Sequence, residues 1–291
     1  MSSKTAEINA FEGFVHNGPV KIHYRAAGQG PLLLLLHGFP DNSSTFSKQV
    51  AFFAKSYTVV CPTLRGYPPS DIPGVDDASY ALSTVVGDIL AVLDHFKADK
   101  AIVSGHDFGG AVIQLLALLH PERVEGLIII NSLIIPRMYD LVNHDQDQQA
   151  MSAYTIKYIQ YQPDDDKNVD FLVRTIRDEA YREEFRQYLN DCPIEGMFGY
   201  YKSNYPGPPY GQVVDTSAML YQVPTLIIWG LEDEYFSLKM LDQIPNHFKK
   251  TLRLVTLPGA GHWSFRGQPE RVNQEILSWL DFLSTRKVSA N

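Results

Sequence analysis

Cysteine and long apolar runs are both scarce in this chain of 291 residues. Its two cysteines, Cys61 and Cys192, lie far apart and form no C-x-x-C pair, which excludes a disulfide framework and a cysteine-based metal site. The longest apolar run near the N-terminus, residues 32–36, is far too short to span a membrane. The N-terminus also lacks an apolar signal core, so we expect a cytoplasmic protein without disulfides.

Positive charge is scarce as well. The sequence has 25 Lys and Arg residues against 33 Asp and Glu residues, a net charge of −8, and no run rich in Lys or Arg. This balance disfavours nucleic acid or an anionic membrane as the main partner. Apolar residues make up 45% of the chain, which is typical of a globular protein and sufficient for a sizeable core.

Six short apolar runs indicate a parallel sheet. They occupy residues 32–36, 57–61, 101–103, 126–130, 225–229 and 252–257. The runs are continuous rather than alternating, which is typical of strands buried on both faces. Helical patterns at 82–96, 111–119 and 273–282 lie between or after them, so the sequence predicts a doubly wound α/β fold. The dipeptide Asn17-Gly18 also predicts an antiparallel hairpin before the sheet, with strands at 14–15 and 19–24.

The alternation of strands and helices stops between the fourth and fifth apolar runs. No strand-like run occurs from residue 133 to 216, and ten of the sixteen tyrosines lie in this stretch. Helical patterns at 151–162 and 169–189 predict that the stretch is mostly helical. We therefore expect a helical cap of residues 134–215, inserted into a core formed by residues 1–133 and 216–291.

An aspartate stands at the end of the third apolar run. Residues 105–109 read Gly-His-Asp-Phe-Gly, the G-x-nucleophile-x-G pattern of a nucleophile elbow, and Asp107 occupies its centre. Glycine is required beside the nucleophile because Cβ atoms there would clash in so tight a turn. The same pattern also allows Asp107 to be only the N-cap of the next helix. Candidate partners elsewhere in the chain favour the nucleophile.

These partners follow later strands in the chain order nucleophile, acid, histidine. His262 stands in a Gly-Ala-Gly-His loop after the sixth run, where this architecture places its base. Asp233 follows the fifth run and would hold the tautomer of the imidazole. Glu232 and Glu234 flank it, so the selection of Asp233 from three adjacent acids is open to alternatives.

The loop after the first run reads His-Gly-Phe-Pro at residues 37–40. We expect the backbone N–H groups of Phe39 and Phe108 to form an oxyanion hole. We also place His37 and Pro40 at the substrate site, although the same residues would suit an ordinary turn at the end of a strand.

A carboxylate nucleophile restricts the chemistry. Asp107 would attack a saturated carbon and form an alkyl ester of its own side chain, so the substrate must carry a leaving group, either an epoxide oxygen or a halide. Water activated by His262 would then hydrolyse the ester. An epoxide oxygen needs a proton donor when it leaves, whereas a halide needs weak N–H donors. We expect a small apolar epoxide-type substrate and water as partners.

The tyrosines of the predicted cap could supply that proton. Tyr154, Tyr158 and Tyr161 are spaced i, i+4, i+7 and would share one helix face, while Tyr200 and Tyr201 lie farther along. Such a stripe is also typical of simple packing. We expect one of the first three, paired with Tyr201 or Tyr200, to bind the epoxide oxygen. These aromatics and Trp263 predict an apolar pocket with polar groups.

Five motifs together resemble the α/β-hydrolase superfamily and, within it, the soluble epoxide hydrolases. They are HGFP at 37–40, RGY at 65–67, SGHDFGG at 104–110, WGLEDEYF at 229–236 and GHWSFRGQPERVNQEILSWL at 261–280. The resemblance covers most of the chain and is weakest in the cap. It implies a triad of Asp107, Asp233 and His262, no cofactor and no metal. It implies Tyr201 as the second cap tyrosine and Tyr158 as the first, ahead of Tyr154 and Tyr161.

Two departures bear on the alternatives. Phe108 stands where many epoxide hydrolases and haloalkane dehalogenases have tryptophan, which removes the usual halide-binding indole. The fluoroacetate dehalogenases have arginines just after the nucleophile. Residues 108–114 of this chain contain no arginine, which disfavours a small anionic haloacid as substrate. The competing hypotheses are a haloalkane dehalogenase with the same triad and a non-catalytic ligand-binding protein of this fold. A homodimer is an open alternative to a monomer.

Overall fold

A computed structural model describes residues 10–74, 78–176 and 178–288, so most of the N-terminal stretch without a signal core lies outside the described residues. Eight strands form one sheet in the order β1-β2-β4-β3-β5-β6-β7-β8. Their bounds are Ala10–Asn17 (β1), Val20–Ala27 (β2), Leu32–Leu36 (β3), Thr58–Pro62 (β4), Ala101–His106 (β5), Val124–Ile130 (β6), Thr225–Gly230 (β7) and Leu252–Leu257 (β8).

All six apolar runs form strands, and these six strands are mutually parallel. The predicted α/β-hydrolase architecture, a mostly parallel sheet flanked by helices, is therefore confirmed. The hairpin is also confirmed, because β1 and β2 pair antiparallel. Asn17 pairs with Val20, so Pro19 belongs to the two-residue turn and not to the second strand, as expected for a residue without a backbone N–H.

Helices cover both faces of the sheet. They are Ser47–Phe53 (α1), Leu82–His95 (α2), Asp107–Leu119 (α3), Ile135–His144 (α4), Gln146–Met151 (α5), Thr155–Gln160 (α6), Val169–Val173 (α7), Glu179–Asp191 (α8), Glu195–Asn204 (α9), Ser264–Gly267 (α10) and Pro269–Val288 (α11). Alternate side chains of β3 pack on opposite faces of the sheet. Leu34 and Leu36 belong to the cluster that contains α2 and α3, whereas Leu33 and Leu35 belong to the cluster that contains α1 and α11.

The stretch between β6 and β7 consists of the six helices α4 to α9. The single helix predicted over 151–162 is wrong, since α5 ends at Met151 and α6 begins at Thr155. Between them the Thr155 hydroxyl donates to the Ser152 carbonyl at 2.8 Å, a local bond that competes with a continuing helix.

The helix predicted over 169–189 is likewise divided into α7 and α8. Asp178 caps the second of these by accepting a hydrogen bond from the Tyr181 N–H at 3.1 Å. Residue 177 of that prediction lies outside the described residues. The exact division of the chain into core and cap stays a prediction. No helix in the described ranges combines the length and apolar character needed to cross a membrane.

Candidate active site

Asp107 sits in a strained turn at the carboxyl end of a central strand. β5 ends at His106, α3 begins at Asp107, and Asp107 has a φ of 51°, which side-chain-bearing residues rarely adopt. A Cβ on Gly105 would lie 2.5 Å from the Gly109 carbonyl oxygen, and a Cβ on Gly109 would clash with the backbone of β3. The expected steric need for glycine on both sides of Asp107 is therefore confirmed.

The Asp107 carboxylate lies against the loop after β3. The Phe39 N–H donates a hydrogen bond to Asp107 Oδ1 at 2.7 Å. Phe108 lies in the first turn of α3, whose N–H groups have no acceptor within the helix. Both backbone groups expected in the oxyanion hole thus lie next to the nucleophile, and one of them already contacts its oxygen. Pro40 follows in the same loop, after a cis peptide bond.

His37 lies behind this loop and not at the substrate site. Its Nε2 accepts a hydrogen bond from the Leu64 N–H at 3.0 Å, so its Nδ1 carries the proton and donates to the Gly38 carbonyl at 2.9 Å. Burial lowers the pKa of His37 to about 4, which keeps the ring neutral. The structure therefore does not favour His37 as a substrate contact, because both ring nitrogens are engaged in supporting the loop.

His262 brings the two predicted acids together. Its Nδ1 lies 2.9 Å from Asp233 Oδ2, and its Nε2 lies 3.6 Å from Asp107 Oδ2. Asp233 is fixed on its other oxygen, since the N–H groups of Tyr235 and Phe236 donate to Oδ1 at 2.8 and 3.1 Å. The Asp233 side chain is 1% exposed. The neighbouring Glu232 and Glu234 are exposed, so the geometry separates Asp233 from the other two acids.

The charges around His262 favour its protonated form. Burial lowers the pKa of His262, but the negative charges and hydrogen bonds of Asp233 and Asp107 outweigh burial and raise that pKa to about 9. The imidazole is therefore cationic at neutral pH while Asp107 is ionised. Removing the charge of Asp107 would remove two of the contributions that raise this pKa.

A cavity opens onto Asp107 and His262. Five of the residues predicted at the substrate site line this cavity: Pro40, Tyr154, Tyr158, Tyr201 and Trp263. Its wall also includes Phe39, Phe171, Leu172, Arg174 and Tyr235. The lining is mostly aromatic and apolar, with a few polar groups, as is usual for sites that bind small molecules.

The hydroxyls of Tyr154 and Tyr201 face this cavity, and we find no hydrogen bond from either to another described residue. Burial raises the pKa of both hydroxyls, and the Asp107 carboxylate raises both further, which shows that both sense the charge of the nucleophile. Burial also raises the pKa of Tyr158, but Asp107 does not contribute there. Tyr158 also lines the cavity and has no hydrogen-bond partner among the described residues, so only the influence of the Asp107 charge favours Tyr154 over Tyr158 as the partner of Tyr201, the reverse of the predicted order.

The other two candidate tyrosines lie outside the cavity lining. The Tyr161 hydroxyl donates to the Asp165 carbonyl at 3.2 Å, because Tyr161 follows the end of α6 and leaves the face shared by Tyr154 and Tyr158. The Tyr200 hydroxyl is buried and donates to the Arg65 carbonyl at 3.0 Å. The structure therefore does not favour Tyr161 or Tyr200 as a substrate contact, since both hydroxyls are bound to backbone carbonyls.

Comparisons with known proteins agree with this geometry. Residues 31–267 match the family model described as alpha/beta hydrolase fold. The chain belongs to the α/β-hydrolase family. It is 32% identical to the AB hydrolase superfamily protein YfhM of Bacillus subtilis, over 92% of this chain and 96% of that protein. It is 30% identical to human epoxide hydrolase 4, over 91% of this chain and 77% of that protein.

A solved structure of an epoxide hydrolase is also similar to this chain. A variant of an epoxide hydrolase from Bacillus megaterium, complexed with its product, has a TM-score of 0.80 and 25% identity, covering 92% of this chain and all of that one. This member of the α/β-hydrolase family is thus epoxide hydrolase-like in both sequence and structure.

Sequence reasoning missed three residues of the hydrolase site. The Tyr235 ring lies 4.8 Å from that of His262. Tyr235 follows Asp233 by two positions, in a motif whose acids give the stronger catalytic signal. The Asn131 amide donates to Asp233 Oδ2 at 2.8 Å, and Asn131 follows β6, where the sequence offers no acid. Arg174 also lines the cavity, but it follows the short helix α7, where the sequence contains no recognisable motif.

Trp263 lines the cavity, but its indole N–H is not free. It donates to Asp41 Oδ2 at 2.9 Å, so the indole presents only its apolar ring to a ligand. Within residues 10–74, 78–176 and 178–288, no group of three His, Cys, Asp or Glu side chains is arranged to hold a metal ion.

Proposed function

We propose that this α/β-hydrolase opens epoxides to vicinal diols through an ester of Asp107. The arrangement of two carboxylates around His262 carries the proposal, together with the cavity-lining tyrosines Tyr154, Tyr158 and Tyr201, whose hydroxyls have no hydrogen-bond partner among the described residues. Relatives named epoxide hydrolases support it. Asp107, Asp233 and His262 act as the catalytic triad, and Tyr154 and Tyr201 act as the acids.

In the first step Asp107 is the nucleophile. Its Oδ1 is held by the Phe39 N–H, which leaves Oδ2 to attack one oxirane carbon. The bond from Oδ2 to carbon forms as the carbon–oxygen bond of the ring breaks, and the developing alkoxide takes a proton from Tyr154 or Tyr201. A neutral tyrosine is required for this donation, and burial keeps both hydroxyls protonated by raising their pKa.

In the second step His262 is the base. Ester formation removes the negative charge of Asp107, so the pKa of His262 falls and the ring releases its proton to solvent. Its Nε2 then takes a proton from water as that water attacks Cγ of Asp107. The tetrahedral oxyanion on Oδ1 accepts hydrogen bonds from the N–H groups of Phe39 and Phe108.

Collapse of this intermediate releases the diol and restores the enzyme. The bond between Cγ and Oδ2 breaks, and the His262 imidazolium protonates the departing oxygen. The second proton of the water passes to the tyrosinate, and His262 takes back a proton from solvent once Asp107 is again a carboxylate. The diol therefore carries an oxygen that belonged to Asp107, while the oxygen of water enters the carboxylate.

A dehalogenase would share the triad but requires a different set of donors. The N–H of Trp263 is bound to Asp41, and Phe108 has no indole, so the described cavity wall lacks a free indole for halide. The tyrosine hydroxyls of the cavity wall that have no hydrogen-bond partner among the described residues favour an epoxide oxygen instead.

The test is a parallel screen of epoxides, including styrene oxide, and alkyl halides, together with mass spectrometry of His262→Gln incubated with each active compound. We expect epoxide turnover by the wild type, and an adduct of substrate mass on the peptide containing Asp107 in the variant. Halide release without epoxide turnover would assign a dehalogenase. Tight ligand binding without turnover or adduct would assign a non-catalytic protein.

A further inference from the structure

The cavity has a cation at its outer end. Arg174 lines the same cavity as Asp107, yet its side chain is 36% exposed, whereas that of Asp107 is 10% exposed. The cavity thus leads from a solvent-accessible guanidinium to a buried nucleophile. Apolar side chains form much of the wall between these ends, including Leu172 and Trp263.

The guanidinium is held in one position. Its Nη1 donates to the Phe171 carbonyl at 2.7 Å, and its Nη2 donates to the Tyr235 hydroxyl at 3.0 Å. Its central carbon lies 3.7 Å from the centre of the Phe171 ring, within reach of a cation–π interaction. A guanidinium has five N–H donors, so this arrangement orients the group and leaves donors for a ligand.

The positive charge is only weakly neutralised by the protein. Its carboxylate neighbour is Glu234, whose oxygen lies 3.7 Å from Nη2 and whose side chain is 64% exposed. Exposed pairs of this kind contribute about 0–1 kcal/mol, so a ligand anion can displace Glu234. The charge also reaches into the cavity. Burial raises the pKa of Tyr158 and of Tyr235, and Arg174 opposes that rise at both hydroxyls.

We infer that Arg174 binds an anionic group of the substrate, so that the preferred epoxides carry a carboxylate separated from the oxirane by an apolar chain. The inference rests on the proposed function, since Asp107 must react with the oxirane. A planar carboxylate matches the paired N–H groups of a guanidinium, and the apolar wall would contact the connecting chain. Arg174 is then a specificity-determining residue that takes no part in the bond-making steps.

The competing explanation is that Arg174 only ties the inserted stretch to the loop after β7. That role would affect all substrates equally, whereas an anion site would affect charged substrates alone. The two are separated by ω-epoxy carboxylic acids of increasing chain length and their methyl esters, which differ in charge but hardly in shape.

The experiment compares kcat/KM for each acid and its ester in wild type, Arg174→Gln, Arg174→Lys and the control Arg182→Gln. Arg182 also donates to a backbone carbonyl of the inserted stretch, at Ile176, but does not line the cavity. We expect Arg174→Gln to lower kcat/KM for the acids about tenfold, chiefly through KM, and to change the esters less than about twofold. Arg174→Lys should retain part of the preference, and Arg182→Gln all of it.

Glu234→Gln provides a second measurement that does not depend on the folding of an Arg174 variant. Removing the competing carboxylate should raise kcat/KM for the acids and leave the esters unchanged. Equal losses for acids and esters in Arg174→Gln, or no change in either series, would overturn the inference while ester turnover keeps the proposed function intact. If the wild type hydrolyses neither series nor any other epoxide, both proposals are overturned.

Discussion

His262 Nδ1 lies 2.9 Å from Asp233, whereas His262 Nε2 lies 3.6 Å from Asp107. The first distance is that of a hydrogen bond and the second is only that of an ion pair. Asp233 therefore fixes the proton on Nδ1, and Nε2 faces the nucleophile without being bound tightly to it. This asymmetry suits a base that must exchange its contact with Asp107 for a water molecule.

The pKa of His262 should fall when Asp107 loses its charge. Asp107→Asn keeps the shape of the side chain but removes the negative charge that helps to raise this pKa to about 9. We expect a downward shift of at least about one pH unit in the titration of the His262 ring followed by NMR. An unchanged titration would mean that ester formation does not release the base.

Folding stability should decrease as the pH rises through the alkaline range. The pKa of His262 is raised from an unfolded value of about 6.5 to about 9, so its contribution is complete below pH 6.5 and is lost as pH approaches and passes 9. The loss should be on the order of 2–3 kcal/mol by chemical denaturation. His262→Gln is the control, and its stability should depend less on pH over this window.

The hydroxyls of Tyr154 and Tyr201, whose pKa values are raised by the charge of Asp107, should contribute more to turnover than the hydroxyl of Tyr158. Tyr154→Phe and Tyr201→Phe each remove a proton donor, so we expect kcat for an epoxide to fall about 100-fold or more. Tyr158→Phe should change kcat less than about threefold. Tyr161→Phe is the matched control, because its hydroxyl is bound to a backbone carbonyl. A large effect of Tyr158→Phe with an intact Tyr154→Phe would restore the order expected from sequence.

Arg65 and Asp88 form a buried ion pair in the core domain of the fold. Arg65 donates to both oxygens of Asp88 at 2.7 and 2.6 Å, and the two side chains are 5% and 2% exposed. Asp88→Ala should lower the free energy of unfolding by about 3–5 kcal/mol, because it leaves a buried charge unpaired. Asp94→Ala breaks the exposed pair with Arg123 and should cost about 1 kcal/mol or less. Similar losses in the two variants would show that burial of the first pair is unimportant.

The sheet and the proximity of Asp107, Asp233 and His262 could be predicted because few physical rules determine them. Strands buried on both faces need continuous apolar runs, so Leu32–Leu36 identifies β3 without further context. Parallel strands then bring residues that follow different strands to one edge, which predicts that Asp107 lies near His262.

The cap resisted prediction because local polar bonds decide its form. Between α5 and α6 the Thr155 hydroxyl donates to the Ser152 carbonyl, a contact that periodicity does not reveal. Tyr154 and Tyr158 share one helix face, so spacing alone could not say which hydroxyl senses Asp107. The position of Arg174 in the cavity wall depends on how a stretch without sequence motifs folds.

The central claim is that Asp107 forms a covalent ester with the substrate, and a single turnover in water enriched in oxygen-18 tests it most directly. With enzyme in excess over epoxide, attack of water on Cγ of Asp107 should place the label in the peptide containing Asp107, and the first diol released should be unlabelled. Label in the diol from that first turnover, with Asp107 unlabelled, would show that water attacks the epoxide directly and would contradict the account.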